Sequence, residues 1–301
     1  MKRLVVFLVV TFGLTWGLLI PAGFALGTFE NGENSSVAMI ALIAVSMFFP
    51  LVGALIANRV GGPEERIDLG IKPRIGANLK YYLAAWFVPA GLALLGCIVF
   101  FVANPPLFDP TMMSYLETTA AAAGMPVDTL TADMPPMPIL LSATLFASLA
   151  VAPFINAIPA FGEELGWRGM LFPALAEHMP ARAAVVVSGI IWGLWHAPVI
   201  AMGHNYGMDY TGCPLTGILV MTLSCTAFGC FLALLRARTE SVWPCALAHG
   251  AFNAIANIGV VFCASGPGLM GPSPLGLIAG IPLLVLGAAC LVRLAPKQVQ
   301  S

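Results

Sequence analysis

The chain has 301 residues, of which 59% are hydrophobic and 9% charged, and its formal net charge is −1. A soluble domain carries about a quarter charged residues, so too few polar side chains exist to clothe a water-facing surface, and lipid is the expected solvent. The balanced charge and the lack of any basic run also argue against a nucleic-acid partner.

A membrane-spanning helix needs about 20 apolar residues. Eight such stretches follow one another, at roughly 4–26, 37–57, 81–102, 139–160, 183–202, 215–235, 242–263 and 275–294. They predict an all-α, polytopic membrane helix bundle of about eight transmembrane helices. The first stretch follows Lys2 and Arg3 as a signal peptide would, but its apolar run is long for one, and retention suits the charge pattern better. Residues 59–80 read as an ordinary basic loop, with a short amphipathic surface piece as the alternative. Residues 105–137, with clustered Pro and Met, form a long outer loop. The fourth stretch is expected to continue toward Phe172, kinked near Pro153 and Pro159. The seven cysteines (Cys97, Cys213, Cys225, Cys230, Cys245, Cys263 and Cys290) include no CxxC pair, and six lie in apolar stretches. They read as small core side chains rather than as a disulfide frame or a zinc site.

Eight helices with an inner N-terminus put all 13 Lys and Arg residues on one side. They are Lys2, Arg3, Arg59, Arg66, Lys72, Arg74, Lys80, Arg168, Arg182, Arg236, Arg238, Arg293 and Lys297. The other side carries Glu30, Glu33, Asp109, Glu117, Asp128, Asp133 and Asp209. By the positive-inside rule both termini are expected in the cytosol, and the protein is expected in the cell (inner) membrane.

Ionisable groups in a bilayer are costly and mark function by default. Glu164 and Arg168 are four apart and share a helical face, whereas Glu163 is turned away by about 100°. One carboxylate can be neutralised while the other stays free. Trp192 and His196 share a face of the fifth stretch. His249 and Asn253 do so on the seventh, and Asn257 continues their stripe. His178 and His204 are expected to be solvated, the first in a cytoplasmic loop and the second near the outer surface. Each cluster alone has a bland alternative, a charged helix end or a polar helix–helix contact. Together they bring a carboxylate, two histidines and a carboxamide into an apolar chain. A Glu–His pair can activate water and a His–Asn pair can stabilise an oxyanion. Glu and His also ligate zinc, although no HExxH is present.

Glu163, Glu164 and Arg168 (EExxxR), Trp192 and His196 (FxxxH with Trp for Phe), and His249 and Asn253 (HxxxN) occur in order on successive predicted helices. In this the chain resembles the CAAX-protease and bacteriocin-processing (CPBP, or Abi) intramembrane protease family, over roughly residues 139–263. The resemblance implies a peptidase site within the bilayer that opens to the cytosol. In it Glu163 and His196 activate water, His249 and Asn253 stabilise the oxyanion, and Arg168 holds Glu164. Trp192 is expected to alter packing beside His196 rather than chemistry. Members are often described as metalloproteases, so a divalent, zinc-like metal on Glu163, His196 and His249 is a candidate cofactor; the same residues also support a metal-free glutamate mechanism. The chain then divides into residues 1–138, with three transmembrane helices and the outer loop, a CPBP-like catalytic core at 139–264, and a final helix with a cytoplasmic tail at 265–301. The implied partner is a membrane-associated peptide or protein substrate in the lipid bilayer. A non-enzymatic membrane immunity or scaffold protein is the alternative, and a proton-coupled transporter a weaker one, since no repeated halves are visible.

Overall fold

The computed structural model describes residues 1–31, 37–60, 62–132, 134–266 and 268–294. Glu33, Asp133, Lys297 and the chain end from Gln298, on which the charge reading also drew, lie outside them. Every apolar stretch falls on a helix. They are α1 (Lys2–Ala25), α2 (Val37–Ala57), α3 (Ile75–Ala103), α4 (Met137–Ala176), α5 (Ala181–Trp195), α6 (Leu215–Thr239), α7 (Trp243–Val261) and α8 (Ile281–Arg293). Six are long and apolar enough to cross a bilayer, while α5 and α8 are shorter. The fifth stretch is shorter than expected because the helix breaks at His196 before a further turn at Ala197–Ala201. The chain is thus an all-α, polytopic integral membrane protein.

In α1 to α4 large apolar side chains such as Val5, Val9, Leu83, Phe87 and Ile158 face outward, as lipid-facing residues do. α6 and α7 hold the centre, with Phe228, Leu232, Ala233, Cys245 and Ala248 buried. α7 packs on α4 and α3, α5 on α6, α6 on α8, and α1 on α2. In lipid, close helix contact rests on small residues at the crossing. At the α7–α4 crossing a Cβ on Gly250 would come within 2.5 Å of Ala157 N and Pro153 O; at the α5–α6 crossing one on Gly189 would come within 2.5 Å of Thr226 Cα. Gly250 follows His249, so this crossing presses the histidine's helix onto the one that carries the two glutamates.

Four irregularities interrupt the described spans, one of them a turn at Met47 and Phe48 within α2. α4 contains wide π-helical turns at Ala147–Val151 and Leu165–Leu171. The first lies just ahead of Pro153, while Ala152–Glu164 continues through Pro159 as α-helix, so only the earlier proline sits beside a break. α7 pauses between Ile255 and Ile258, where Ala256 still has helical dihedrals and Asn257 leaves them.

The two ends of the bundle differ in charge. At one end Arg3 pairs with Glu177 at 2.7 Å and Arg74 with Glu240. There Arg236 also donates to the Asp68 carbonyl at 2.7 Å, and Arg182 donates to the Leu294 carbonyl at 3.0 Å. Of the basic segment 59–80, residues 62–74 are tied into this end and residues 75–80 begin α3. Asn58 brackets Ile67 with two hydrogen bonds, Leu69 is buried, and the Gly70 carbonyl accepts from Val242 N–H at 2.9 Å. At the far end the long loop after α3 carries short helices at Met113–Ala122 and Val127–Thr131, and the Asp109 and Ala264 N–H groups donate to the Phe262 and Leu107 carbonyls. Asp109 accepts from the Thr111 and Ser114 side chains and backbone N–H groups. The Thr111 hydroxyl and the Ser114 N–H hold its carboxyl well below the usual range.

Candidate active site

The consecutive glutamates of α4 face different surroundings, as their 100° offset requires. Glu164 is fully buried, and its Oε1 accepts from Arg168 Nη1 at 2.9 Å. Glu163 instead lines a cavity of about 250 Å³ and sends Oε2 toward two indoles, Trp192 Nε1 at 2.8 Å and Trp167 Nε1 at 3.1 Å. Two N–H donors on one oxygen fix the carboxylate and leave Oε1 for the cavity.

His249, from α7, places Nδ1 2.9 Å from Glu164 Oε1, the same oxygen that Arg168 holds. A carboxylate can only accept, so Nδ1 carries the proton and donates. The Arg168 guanidinium stacks on the Trp192 ring at 4.3 Å, and His249 meets the same ring edge-on at 5.4 Å. His196 sits where α5 breaks, with Nδ1 2.9 Å from the Trp192 carbonyl oxygen. The break lets the ring turn back into the cavity. Asn253 lies one turn beyond His249, at the cavity's exposed side.

Glu163, His196, His249, Asn253 and Trp192 therefore line one cavity, while Glu164 lies behind it, bound to Arg168 and His249. Two sequence expectations need correction. Trp192 does more than pack, because its N–H donates to Glu163, which a Phe at that position could not do. His204 lines this same cavity, with Asn205, rather than lying in open solvent, since the chain after α5 folds back over the site. Cys225 and Ser224 of α6 also face it, Cys225 Sγ lying 3.9 Å from His196 Nδ1. The link from Glu164 to His249 joins residues 85 positions apart, and no local sequence signal announces it.

Among the described residues no three His, Cys, Asp or Glu side chains gather as a ligand set. His249 Nδ1 is engaged by Glu164, and Glu163 Oε2 by two indoles. The spacing of Glu163, His196 and His249 thus forms no three-ligand set as placed, although Glu163 Oε1 and His249 Nε2 both remain toward the cavity.

The comparisons agree with the motifs. Residues 143–255 match the family model described as type II CAAX prenyl endopeptidase Rce1-like. A 53-residue segment is 40% identical to the CAAX prenyl protease 2 of Methanococcus maripaludis, covering 18% of this chain and 20% of that protein. The chain thus matches about a fifth of the length of this curated relative. The matched region contains EExxxR, the Trp192–His196 pair and HxxxN, with their side chains gathered around one cavity. Residues 143–255 are accordingly similar to the Rce1-like family core, and the three motifs fall within that match.

Proposed function

We propose that the protein is an intramembrane endopeptidase that hydrolyses peptide bonds of membrane-associated proteins or peptides. One observation carries this reading. Glu163, His196, His249 and Asn253, from three helices of an apolar bundle, share a single cavity. Desolvated polar groups at this depth are retained at a cost, and this set supplies each role that amide hydrolysis needs.

Glu163, anchored through Oε2, uses Oε1 as general base toward a water held between it and His196. The hydroxide oxygen bonds to the scissile carbonyl carbon, whose π electrons move to oxygen. His249 Nε2 and the Asn253 carboxamide donate to the resulting oxyanion. With Nδ1–H committed to Glu164, Nε2 can donate only from the doubly protonated ring. Glu163, Glu164 and Arg168 together sum to −1, and a charged ring balances that sum. The proton taken by Glu163 then passes to the leaving amine nitrogen as the C–N bond breaks, which returns the carboxylate. Arg168 and Glu164 serve this chemistry indirectly, by aiming His249. The charge separation between the bundle ends supports an orientation with the arginine-rich end and both termini in the cytosol.

The test compares membrane peptides in cells producing the wild type and Glu163→Gln. The variant keeps the shape and an acceptor oxygen but cannot take a proton. It is expected to accumulate normally and to lose cleavage by at least 100-fold. Identical peptide profiles, with both proteins folded, would overturn the peptidase reading.

A further inference from the structure

A second cavity, of about 330 Å³, lies at the arginine-rich end and shares no wall residue with the one that holds Glu163. Arg66 and Arg74 line it from the segment before α3, and Arg236 lines it from the last turn of α6. Asp68, Glu177 and Glu240 line it too, yet each is already engaged. Arg74 pairs with Glu240, Arg3 reaches Glu177 at 2.7 Å, and Asp68 Oδ1 accepts from Gly70 N–H at 2.9 Å. Counting Arg3, four guanidiniums meet three carboxylates, a surplus of one positive charge. Arg66 and Arg236 form no ion pair among the described residues.

Arg236 is placed for a further acceptor. Nη2 donates to the Asp68 carbonyl at 2.7 Å, but Nε is buried and has no partner. The guanidinium rests on Gly70, where a Cβ would come within 2.9 Å of Cζ. A guanidinium offers five donors in a planar fork that fits phosphate oxygens, and a buried donor without an acceptor calls for one. The cavity also sits at headgroup level. Counted from Leu215 at about 1.5 Å per residue, Arg236 lies about 30 Å along α6, the thickness of the hydrocarbon layer. Trp243 and Ile71 are both exposed, and Trp243 Nε1 donates to the Ile71 carbonyl at 2.8 Å, which gives this level the aromatic and apolar edge of a membrane interface.

The segment that carries Arg66 also braces the helices of the candidate active site. The Gly70 carbonyl accepts from Val242 N–H at 2.9 Å, directly ahead of α7, and a Cβ on Gly169 in the wide turn of α4 would lie 2.8 Å from the Leu69 carbonyl oxygen. Residues 69 and 70 are thereby wedged between the helix of the two glutamates and the helix of His249. An anion that bridges Arg66 to Arg236 ties this wedge to α6.

We propose that the cavity binds a phosphate-bearing anion, the headgroup of an anionic lipid or a soluble phosphate, through Arg66 and Arg236 with Arg74 beside them, and that binding locks the 66–74 segment between α4 and α7. The cytosolic leaflet presents anionic headgroups at this depth. The site stands whatever bond the other cavity cleaves.

The test uses the full chain in detergent micelles. Dioleoyl phosphatidylglycerol, dioleoyl phosphatidylcholine and inorganic phosphate are titrated separately, with melting temperature and lipid retention in native mass spectrometry as readouts. Phosphatidylglycerol is expected to raise the melting temperature by several degrees where phosphatidylcholine does not. Arg66→Gln, at an exposed position, is expected to weaken apparent affinity about fivefold, one arginine's share at an anionic surface. Arg236→Gln is expected to weaken it at least as much. Glu240→Gln, which frees Arg74, is expected to strengthen it, a sign that a merely structural role does not produce. Arg59→Gln, exposed at the same end but outside the cavity, is expected to change nothing. If millimolar inorganic phosphate reproduces the shift and displaces the lipid, the ligand is the soluble anion; if phosphatidylglycerol alone acts, it is the headgroup. Equal weakening by Arg59→Gln and Arg66→Gln reveals unspecific charge attraction and overturns the site, as does a melt that neither ligand moves. Bound ligand is also expected to slow amide exchange over residues 66–74 and at Val242, and unchanged exchange overturns the lock.

Discussion

Trp192→Phe isolates one hydrogen bond to the proposed base. The wild-type indole donates to Glu163 Oε2 at 2.8 Å, the shorter of two such bonds, and its ring lies 4.3 Å beneath the Arg168 guanidinium. Phenylalanine keeps an aromatic face for Arg168 and removes the N–H. A net hydrogen bond to a charged group is worth about 1.5–3 kcal/mol, and a weaker cation–π contact removes up to about 1 kcal/mol more. The expected loss of stability is about 2–4 kcal/mol, read as a lower melting temperature in detergent. A Glu163 carboxylate held by Trp167 alone samples orientations that do not reach the water. kcat is therefore expected to fall about 10- to 100-fold with KM nearly unchanged, the signature of an interaction that acts on the transition state. Trp167→Phe, which removes the longer bond, is expected to cost less. A double-mutant cycle with Glu163→Leu supplies the control, since the Trp192 effect on melting should largely vanish once its acceptor is gone. Wild-type kcat in Trp192→Phe, or an undiminished melting effect in the Glu163→Leu background, would refute the positioning role.

Two further outcomes follow from the electrostatics. Arg168→Ala leaves the buried Glu164 carboxylate with His249 alone, its Oε2 already lacking any partner. Breaking a buried pair costs about 3–5 kcal/mol, so the variant is expected to yield less folded protein and to melt lower, with Arg168→Lys intermediate because it keeps the charge and loses the planar stack; an unshifted melt would show that the pair carries no weight. Asp109 has a depressed pKa in the folded loop, so the order it contributes is present above the unfolded carboxylate pKa and is lost as pH falls through the folded value. Asp109→Asn is expected to lower the amide protection across residues 109–114 at neutral pH, and equal protection at pH 7 would remove the role.

The fold was legible because lipid imposes two rules that a sequence must write out plainly, apolar length and charge asymmetry. All eight stretches became helices on those rules alone. The site was legible to the extent that it is local. Glu164 with Arg168 and His249 with Asn253 are four-residue spacings on single helices, so periodicity places each pair. What periodicity could not supply was which pairs meet. The Glu164–His249 contact depends on α7 lying close against α4 over Gly250. The Trp192 N–H on Glu163 depends on α5 reaching α4, and a consensus written with Phe hid the possibility. His204 looked solvated because chain position suggested an outer loop, whereas the turn after α5 brings it back over the cavity.

The wide turn at Leu165–Leu171 carries the partners that give two neighbouring carboxylates different work. It begins directly after Glu164 and is buried throughout. π-helical turns recur at functional sites, where the extra residue re-aims side chains that a regular helix would stack. Trp167 reaches Glu163 and Arg168 reaches Glu164 across the same four-residue spacing, so each glutamate meets its own partner from one stretch of backbone. The Trp167 N–H fixes Glu163 without neutralising it. The Arg168 guanidinium neutralises Glu164 and, through their shared oxygen, holds His249 in place. One stretch of helix thus leaves one negative charge facing the cavity and cancels the one behind it, which is the asymmetry that the proposed base and oxyanion site require.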